Sequence, residues 1–251
     1  MNSILLIILL ILMLIIGKKR GFKIFLSLCF NFIILISVFY LIALKISPIF
    51  ITIIGLIFIS LIILYYVNGK NDKTISSLIS VILIFLVLVL LIYFMVVKSR
   101  ITGFGTESLD EINMFSENIN IDFTKITISL ILIGLIGATI DTSISISSAL
   151  NEIYLTNKKI SINELFKSGL SIGRDIIGTS TNTLLFAFLG EFMTLLIWFK
   201  TGNYSFSEIL NNKTFNQEII KILFSIIGCI LVIPITSIIT SYKLIKYKKN
   251  N

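Results

Sequence analysis

Long runs of apolar residues alternate with short polar segments along the whole chain. The runs are continuous rather than alternating with a period of two, and they far exceed the roughly 10 residues of a barrel strand. Several of them approach the roughly 20 residues that a helix needs to cross about 30 Å of hydrocarbon. The pattern predicts an all-α, polytopic integral membrane protein with a single transmembrane domain over residues 1–251. Its seven predicted spans are residues 2–16, 22–44, 48–67, 75–97, 126–150, 176–199 and 219–242.

Composition supports this assignment. Hydrophobic residues make up 56% of the 251 residues, charged residues make up 14%, and the mean hydropathy is +1.03. Soluble domains have roughly 45–50% apolar and about 25% charged residues. We therefore expect the lipid bilayer to surround most of the protein.

The residue inventory argues against catalytic and metal chemistry. The chain has no histidine, and its two cysteines, Cys29 and Cys229, lie far apart inside apolar runs. Zinc-site spacings, haem attachment and a Cys–His nucleophile are therefore absent. Asp141 and Asp175 could in principle act as a pair of acids, but Asp175 has its own neighbouring Arg174. We expect no enzyme activity, no metal site and no cofactor.

The distribution of basic residues predicts the orientation. The first apolar run lacks the basic start and small-residue cleavage site of a signal peptide, and its flanking charges, Lys18 to Lys23, follow it. The positive-inside rule then places the N-terminus outside and the C-terminus in the cytoplasm, with fourteen of the 21 basic residues on the cytoplasmic side. The outer segment 98–125 carries five acidic and three basic residues. The net charge of +8 is thus expected beside anionic lipid headgroups rather than nucleic acid.

The fifth predicted span carries an intramembrane aspartate on a polar stripe. An aspartate near the centre of a spanning helix normally faces a partner or a water-filled cavity. Helical spacing places Asp141, Ser145, Ser148 and Glu152 on one side of the helix. Small residues near this stripe could let another backbone approach, and the alternative is that the stripe serves only in helix packing. These small residues are Gly134, Gly137 and Ala138.

The sixth predicted span begins with the polar stretch "SGLSIGRDIIGTSTNT". Its candidate packing residues are Gly169, Gly173 and Gly178, and its candidate site residues are Arg174, Asp175, Thr179, Asn182 and Thr183. If the span starts near residue 176, the helical rise places Asn182 about 9 Å and Asp141 about 14 Å above the inner boundary. Arg174 is then expected at the boundary, closer in depth to Glu152 than to Asp141. A re-entrant segment over 162–178 would instead let Arg174 reach Asp141.

Glu191 is a further acid in this span. It is expected either to pair with Lys221 or to face water.

Two elements of the sequence resemble the YibE/F-like family of bacterial multi-pass membrane proteins. A Gly-Ala-x-x-Asp-x-x-x-Ser-Ile element falls on 137–146, and a Gly-Arg-Asp-x-x-Gly-Thr-x-x-Asn-Thr-Leu element falls on 173–184. The closing "IPITSII" and the early "GKKRGFKIFLSLCFNF" are also similar to family members. The resemblance covers nearly the whole chain. It implies a protein of the bacterial cytoplasmic membrane with a permease or transport-accessory role.

Two interpretations of function follow. In the first, the protein is a permease or a subunit of one, and Asp141 binds a cation or proton while Asn182 and nearby hydroxyls supply ligands and Arg174 biases the site. In the second, it is a non-transporting scaffold or accessory protein whose polar stripe contacts another copy of the chain, a paralogous membrane partner or an exporter.

Overall fold

The computed structural model describes residues 2–99 and 122–247, and nearly all of this part of the chain is helical. Most of the predicted outer segment, and Lys248 and Lys249, lie outside the described residues. A π-helical turn, Ile62–Val67, extends α2. The α-helices are α1 (Asn2–Ala43), α2 (Pro48–Leu61), α3 (Asp72–Ser99), α4 (Phe123–Thr156), α5 (Ile162–Thr201), α6 (Phe206–Asn211) and α7 (Lys213–Tyr247).

Six of the described helices, all except α6, are long and apolar enough to cross a membrane. The predicted class of helical membrane protein is therefore supported, but the count of seven spans is not confirmed, because the first two predicted spans both fall within α1. The backbone of α1 breaks at Lys18, where φ is 48° and ψ is −131°. A Cβ built on Gly21 would overlap the carbonyl oxygen of Met13, although residues eight apart in a straight helix are separated by about 12 Å. The chain therefore turns back at Lys18 and leaves an N-terminal arm, residues 2–17.

The centre of the protein is a layer of three helices. Helix α4 packs along α7, and α3 packs against both. Side chains such as Leu88, Ile131 and Leu135 are completely buried between them. Helix α5 covers α7 and part of α4, whereas α2 and the second part of α1 cover the other side. The N-terminal arm leaves most of its side chains exposed.

At one end of the bundle, polar contacts join several helix ends and the segments that connect the helices. Arg20 donates a 3.0 Å hydrogen bond to the Asn68 side chain, which joins α1 to the α2–α3 connection. Lys243, near the end of α7, lies 3.8 Å from Asp72 at the start of α3. Ser147, in the last third of α4, donates to the backbone carbonyl of Lys73 over 2.8 Å. We call this end, with segments 18–23, 68–73, 156–162 and 243–247, the basic end.

Candidate functional site

A buried cluster of hydroxyl groups joins the three central helices. Ser143 on α4 shares a 2.9 Å hydrogen bond with Thr236 on α7, and Thr240 donates to Ser147 over 3.3 Å. Ser77 on α3 and Ser143 each donate to the other's backbone carbonyl over 3.3 Å. All five side chains are completely buried. Sequence reasoning missed this cluster, because serines and threonines occur on both faces of α4.

The predicted polar stripe lies on the opposite, exposed face of α4. Asp141, Ser145 and Glu152 are exposed, and Ser148 is half-buried. Gly134 and Gly137 are exposed on the same side, and Ala138 is half-buried. The stripe is therefore one continuous face of the helix, as its spacing predicts. Among the described residues, Asp141 has no hydrogen-bond or ion-pair partner.

Helix α5 packs tightly near both ends and loosely in between. A Cβ on Gly169 would lie 2.5 Å from the Ser237 hydroxyl, and one on Gly173 would overlap Ile233. Phe192 and Phe199 are buried toward the other end. Between these anchors the predicted site residues Arg174, Asp175, Thr179, Asn182 and Thr183 are all exposed. A Cβ on Gly178 would meet open space, and the same holds for Gly137 on α4.

The predicted re-entrant segment is not confirmed. Residues 162–178 form the first turns of α5, which begins at Ile162 rather than near 176. A capping box starts the helix: the Ser161 hydroxyl accepts a hydrogen bond from the backbone N–H of Glu164, whose carboxylate accepts from the backbone N–H of Ser161. The signal was present in the sequence as Ser-Ile-Asn-Glu.

This earlier start corrects the expected depth of Arg174. Gly169 faces Leu150 on α4, and Lys221, which packs over Gly134 of α4, is paired with Glu191 of α5, so the two helices run in opposite directions. Arg174 follows Gly169 by five residues on α5. In an antiparallel pair it therefore lies near the depth of the residue five before Leu150 on α4, which is Ser145. Arg174 is then within about 6 Å of Asp141 in depth and farther from Glu152, the reverse of the expected order.

Arg174 and Asp141 nevertheless do not form an ion pair among the described residues. Arg174 lines a groove of about 240 Å³ between α5 and α7, on the side of α5 away from α4. The groove's other lining residues are apolar, with Ile233 and Pro234 among them. In the part of the chain that the structure describes, the guanidinium has no hydrogen-bond or ion-pair partner. The two charges therefore flank α5, one on each side.

At the end opposite the basic end, Glu191 is paired. Lys221 lies 3.0 Å from Glu191 and 2.5 Å from Glu218, so the expected pairing with Lys221 is confirmed. The aliphatic part of Lys221 also packs over Gly134, where a Cβ would lie 3.1 Å from its Cγ. A pocket of about 430 Å³ adjoins these acids and includes Trp198 in its lining.

The YibE/F-like protein family model matches residues 5–246. The chain belongs to this family. The match confirms the resemblance and includes almost all of the six membrane-length helices. The polar stripe of α4 and the exposed polar residues of α5 therefore both lie within the matched region. No curated protein and no solved structure matches the chain.

Proposed function

We propose that the protein is a permease, or a subunit of a transport complex, whose polar intramembrane site lies on α4 and α5. The observation that carries the proposal is the unpaired, exposed carboxylate of Asp141 midway along α4. A charged group at this depth costs about 2.5–3.5 kcal/mol on insertion scales unless water or a partner receives it. A side chain with that cost and no structural partner is suited to binding a mobile ion.

The proposed roles follow from position. Asp141 binds a cation or proton, and Asn182 with Thr179 and Thr183 supplies neutral oxygen ligands from α5. Ser145 and Ser148 continue the path along α4 toward Glu152. Asp175 and Arg174 lie in the part of α5 nearer the basic end, where Arg174 biases the charge of the bound species. We propose no catalytic step.

We propose that the basic end faces the cytoplasm of a bacterial cell. The clustering of basic segments there supports this orientation under the positive-inside rule. The N-terminal arm is proposed to form a separate span, because the chain turns back at Lys18. The N-terminus is then outside and the C-terminus is inside.

A second candidate function is that of a non-transporting scaffold or accessory protein. The exposure of the Asp141 face at the surface of the protomer favours it, because an interface with another membrane protein would cover the same residues. In that case the polar stripe of α4 is a contact surface only, and no ion crosses the membrane along it.

Ion flux separates these candidates. Purified protein is reconstituted into liposomes that contain a fluorescent indicator, and H⁺ and Na⁺ entry are measured under an imposed membrane potential. The permease proposal expects flux above that of protein-free liposomes, and Asp141→Asn removes most of it. Glu191→Gln is the matched control, because this acid lies at the opposite end of α5 and outside the proposed site. Flux equal to that of protein-free liposomes favours the scaffold.

A further inference from the structure

Opposite charges on α4 and α5 remain without an ion-pair partner in the described chain: Asp141 on α4, and Arg174 with its neighbour Asp175 on α5. Asp141 and Arg174 are both exposed, and neither has a hydrogen-bond or ion-pair partner among residues 2–99 and 122–247. Helix pairing places them within about 6 Å in depth. Both lie well inside helices of membrane length, Phe123–Thr156 and Ile162–Thr201. Charges at such positions are normally paired or hydrated.

We propose that a second copy of the chain completes the site, with Asp141 of each copy facing Arg174 of the other. This inference rests on the proposed function, because Arg174 of the second copy then lies beside the Asp141 carboxylate, where it biases the charge of the bound ion. A second copy fits both charges at once, since each copy presents the group that the other lacks.

The positions of the charges suit a two-fold arrangement. Arg174 lies on the α7 side of α5, whereas Asp141 lies on α4, so α5 stands between them. When two copies related by a two-fold axis along the membrane normal bring α5 against α5, the left side of one copy meets the right side of the other. Both Asp141–Arg174 pairs then form together, as expected of an isologous interface.

The outer face of α5 is suited to the centre of this interface. Gly178 is exposed and has no atom within 4 Å of a Cβ built on it, so another helix backbone can approach closely there. Asn182, one turn further along, is exposed with a side chain that can donate and accept hydrogen bonds. Hydrogen-bonding side chains and small residues are typical of helix contacts in membranes.

Cross-linking between two tagged copies tests the arrangement. In a Cys29→Ala, Cys229→Ala background, one copy carries Asp141→Cys and the other carries Arg174→Cys. Both are expressed together and treated in membranes with a short bifunctional thiol reagent, which spans the length of an Asp–Arg pair. The control pairs Arg174→Cys with Leu86→Cys, which is exposed on α3 near Leu88; Leu88 and Thr139 both border Gly228, so the control residue lies near the depth of Asp141.

The expected result is a cross-linked species carrying both tags, well above the control pair. A yield equal to that of the control overturns the proposal, as does cross-linking of Asp141→Cys to a different protein. Cross-linking in the absence of ion flux would refute transport and leave the pairing in place. Ion flux in the absence of cross-linking would refute the pairing alone.

Charge exchange provides a second test that does not depend on cysteines. Asp141→Arg and Arg174→Asp each place like charges across the proposed interface, so each variant alone should lose self-association in nanodiscs or detergent. Copies of the two variants mixed together restore both opposite-charge pairs and should recover it. Self-association of either single variant at the wild-type level, or failure of the mixture when both variants are folded, overturns the proposal.

Discussion

Ser143 on α4 and Thr236 on α7 share a hydrogen bond of 2.9 Å in the buried interface between the two helices. Both side chains are completely buried, and both lie next to other hydroxyls of the same cluster. The contact ties the first of the two polar helices to the last helix of the chain. Its energetic contribution can be measured without touching the exposed stripe.

We expect Ser143→Ala and Thr236→Val each to lower the free energy of unfolding by about 1 kcal/mol, because each removes the hydrogen bond between the two buried hydroxyls. A double-mutant cycle should give a coupling of about 0.6 kcal/mol and at most about 1.7 kcal/mol. Reversible unfolding in mixed micelles measures both quantities. Ser145→Ala, exposed on the same helix, should leave the free energy unchanged. Strictly additive effects would contradict a direct contact.

Gly173→Ala should destabilise the protein by about 1–3 kcal/mol through overpacking. The added methyl group would overlap Ile233 on α7, which is itself buried. Gly190→Ala on the same helix is the control, because its Cβ would meet open space. Thermal unfolding in detergent compares the two variants. Equal melting temperatures would mean that α5 and α7 are further apart than the structure has them.

Lys221→Met should lower the free energy of unfolding by about 1–3 kcal/mol, because it leaves the half-buried carboxylate of Glu218 without its cation. Glu191→Gln should cost less than about 1 kcal/mol, since the Glu191 side chain is 66% exposed. Adding Glu218→Gln to Lys221→Met should recover part of the loss. If Lys221→Met and Glu191→Gln are equally stable, the contact between Lys221 and Glu218 does not stabilise this end of the bundle.

Cysteine labelling distinguishes hydrated from dry positions around the proposed site. Asp141→Cys and Asn182→Cys, in a background without Cys29 and Cys229, should react with a small membrane-impermeant thiol reagent added from the cytoplasmic side. Ser147→Cys should stay inert, because that side chain is completely buried between α4, α3 and α7. Inertness at 141 and 182 as well would mean that both polar faces are dry.

Reporter fusions test the orientation. Fusions in the α4–α5 connection, near Lys158, and in the α5–α6 connection, near Asn203, should report opposite sides of the membrane, with Lys158 in the cytoplasm. The physical reason is the retention of basic segments on the cytoplasmic side. The same signal from both sites would contradict α5 as a crossing helix.

The helical class was predictable because continuous apolar runs of membrane length allow few other structures. The register of Asp141, Ser145, Ser148 and Glu152 was also predictable, since the helical period alone decides which residues share a face. Which of two polar faces is buried depends on the neighbouring helices. The spacing alone therefore could not show that Ser143 and Ser147 are buried, whereas Ser145 and Ser148 lie on the exposed stripe.

The start of α5 was misplaced for a different reason. Residues 162–175 include the charged residues Glu164, Lys167, Arg174 and Asp175. These residues lower the local hydropathy, so hydropathy alone did not predict that the helix begins before residue 176. The capping signal at Ser161 and Glu164 marks the true start. Because this capping signal was not used, the prediction placed Arg174 too close to the inner membrane boundary. The turn at Lys18 is a tertiary feature that has no comparable local signal.

The hydroxyl cluster between α3, α4 and α7 has a mechanical consequence. The Ser77 hydroxyl lies 2.9 Å from the Lys73 carbonyl of its own helix and 3.3 Å from the Ser143 backbone carbonyl across the interface, so its single proton has an acceptor on either helix. Thr139 and Ser237 already rely on carbonyls of their own helices. A hydroxyl with an acceptor on its own helix can release a neighbouring helix without becoming an unsatisfied buried group. A small shear of the three helices along one another would therefore leave Ser77 bonded to its own helix, whereas Ser147 and Thr240, whose hydrogen bonds cross between helices, would lose their partners.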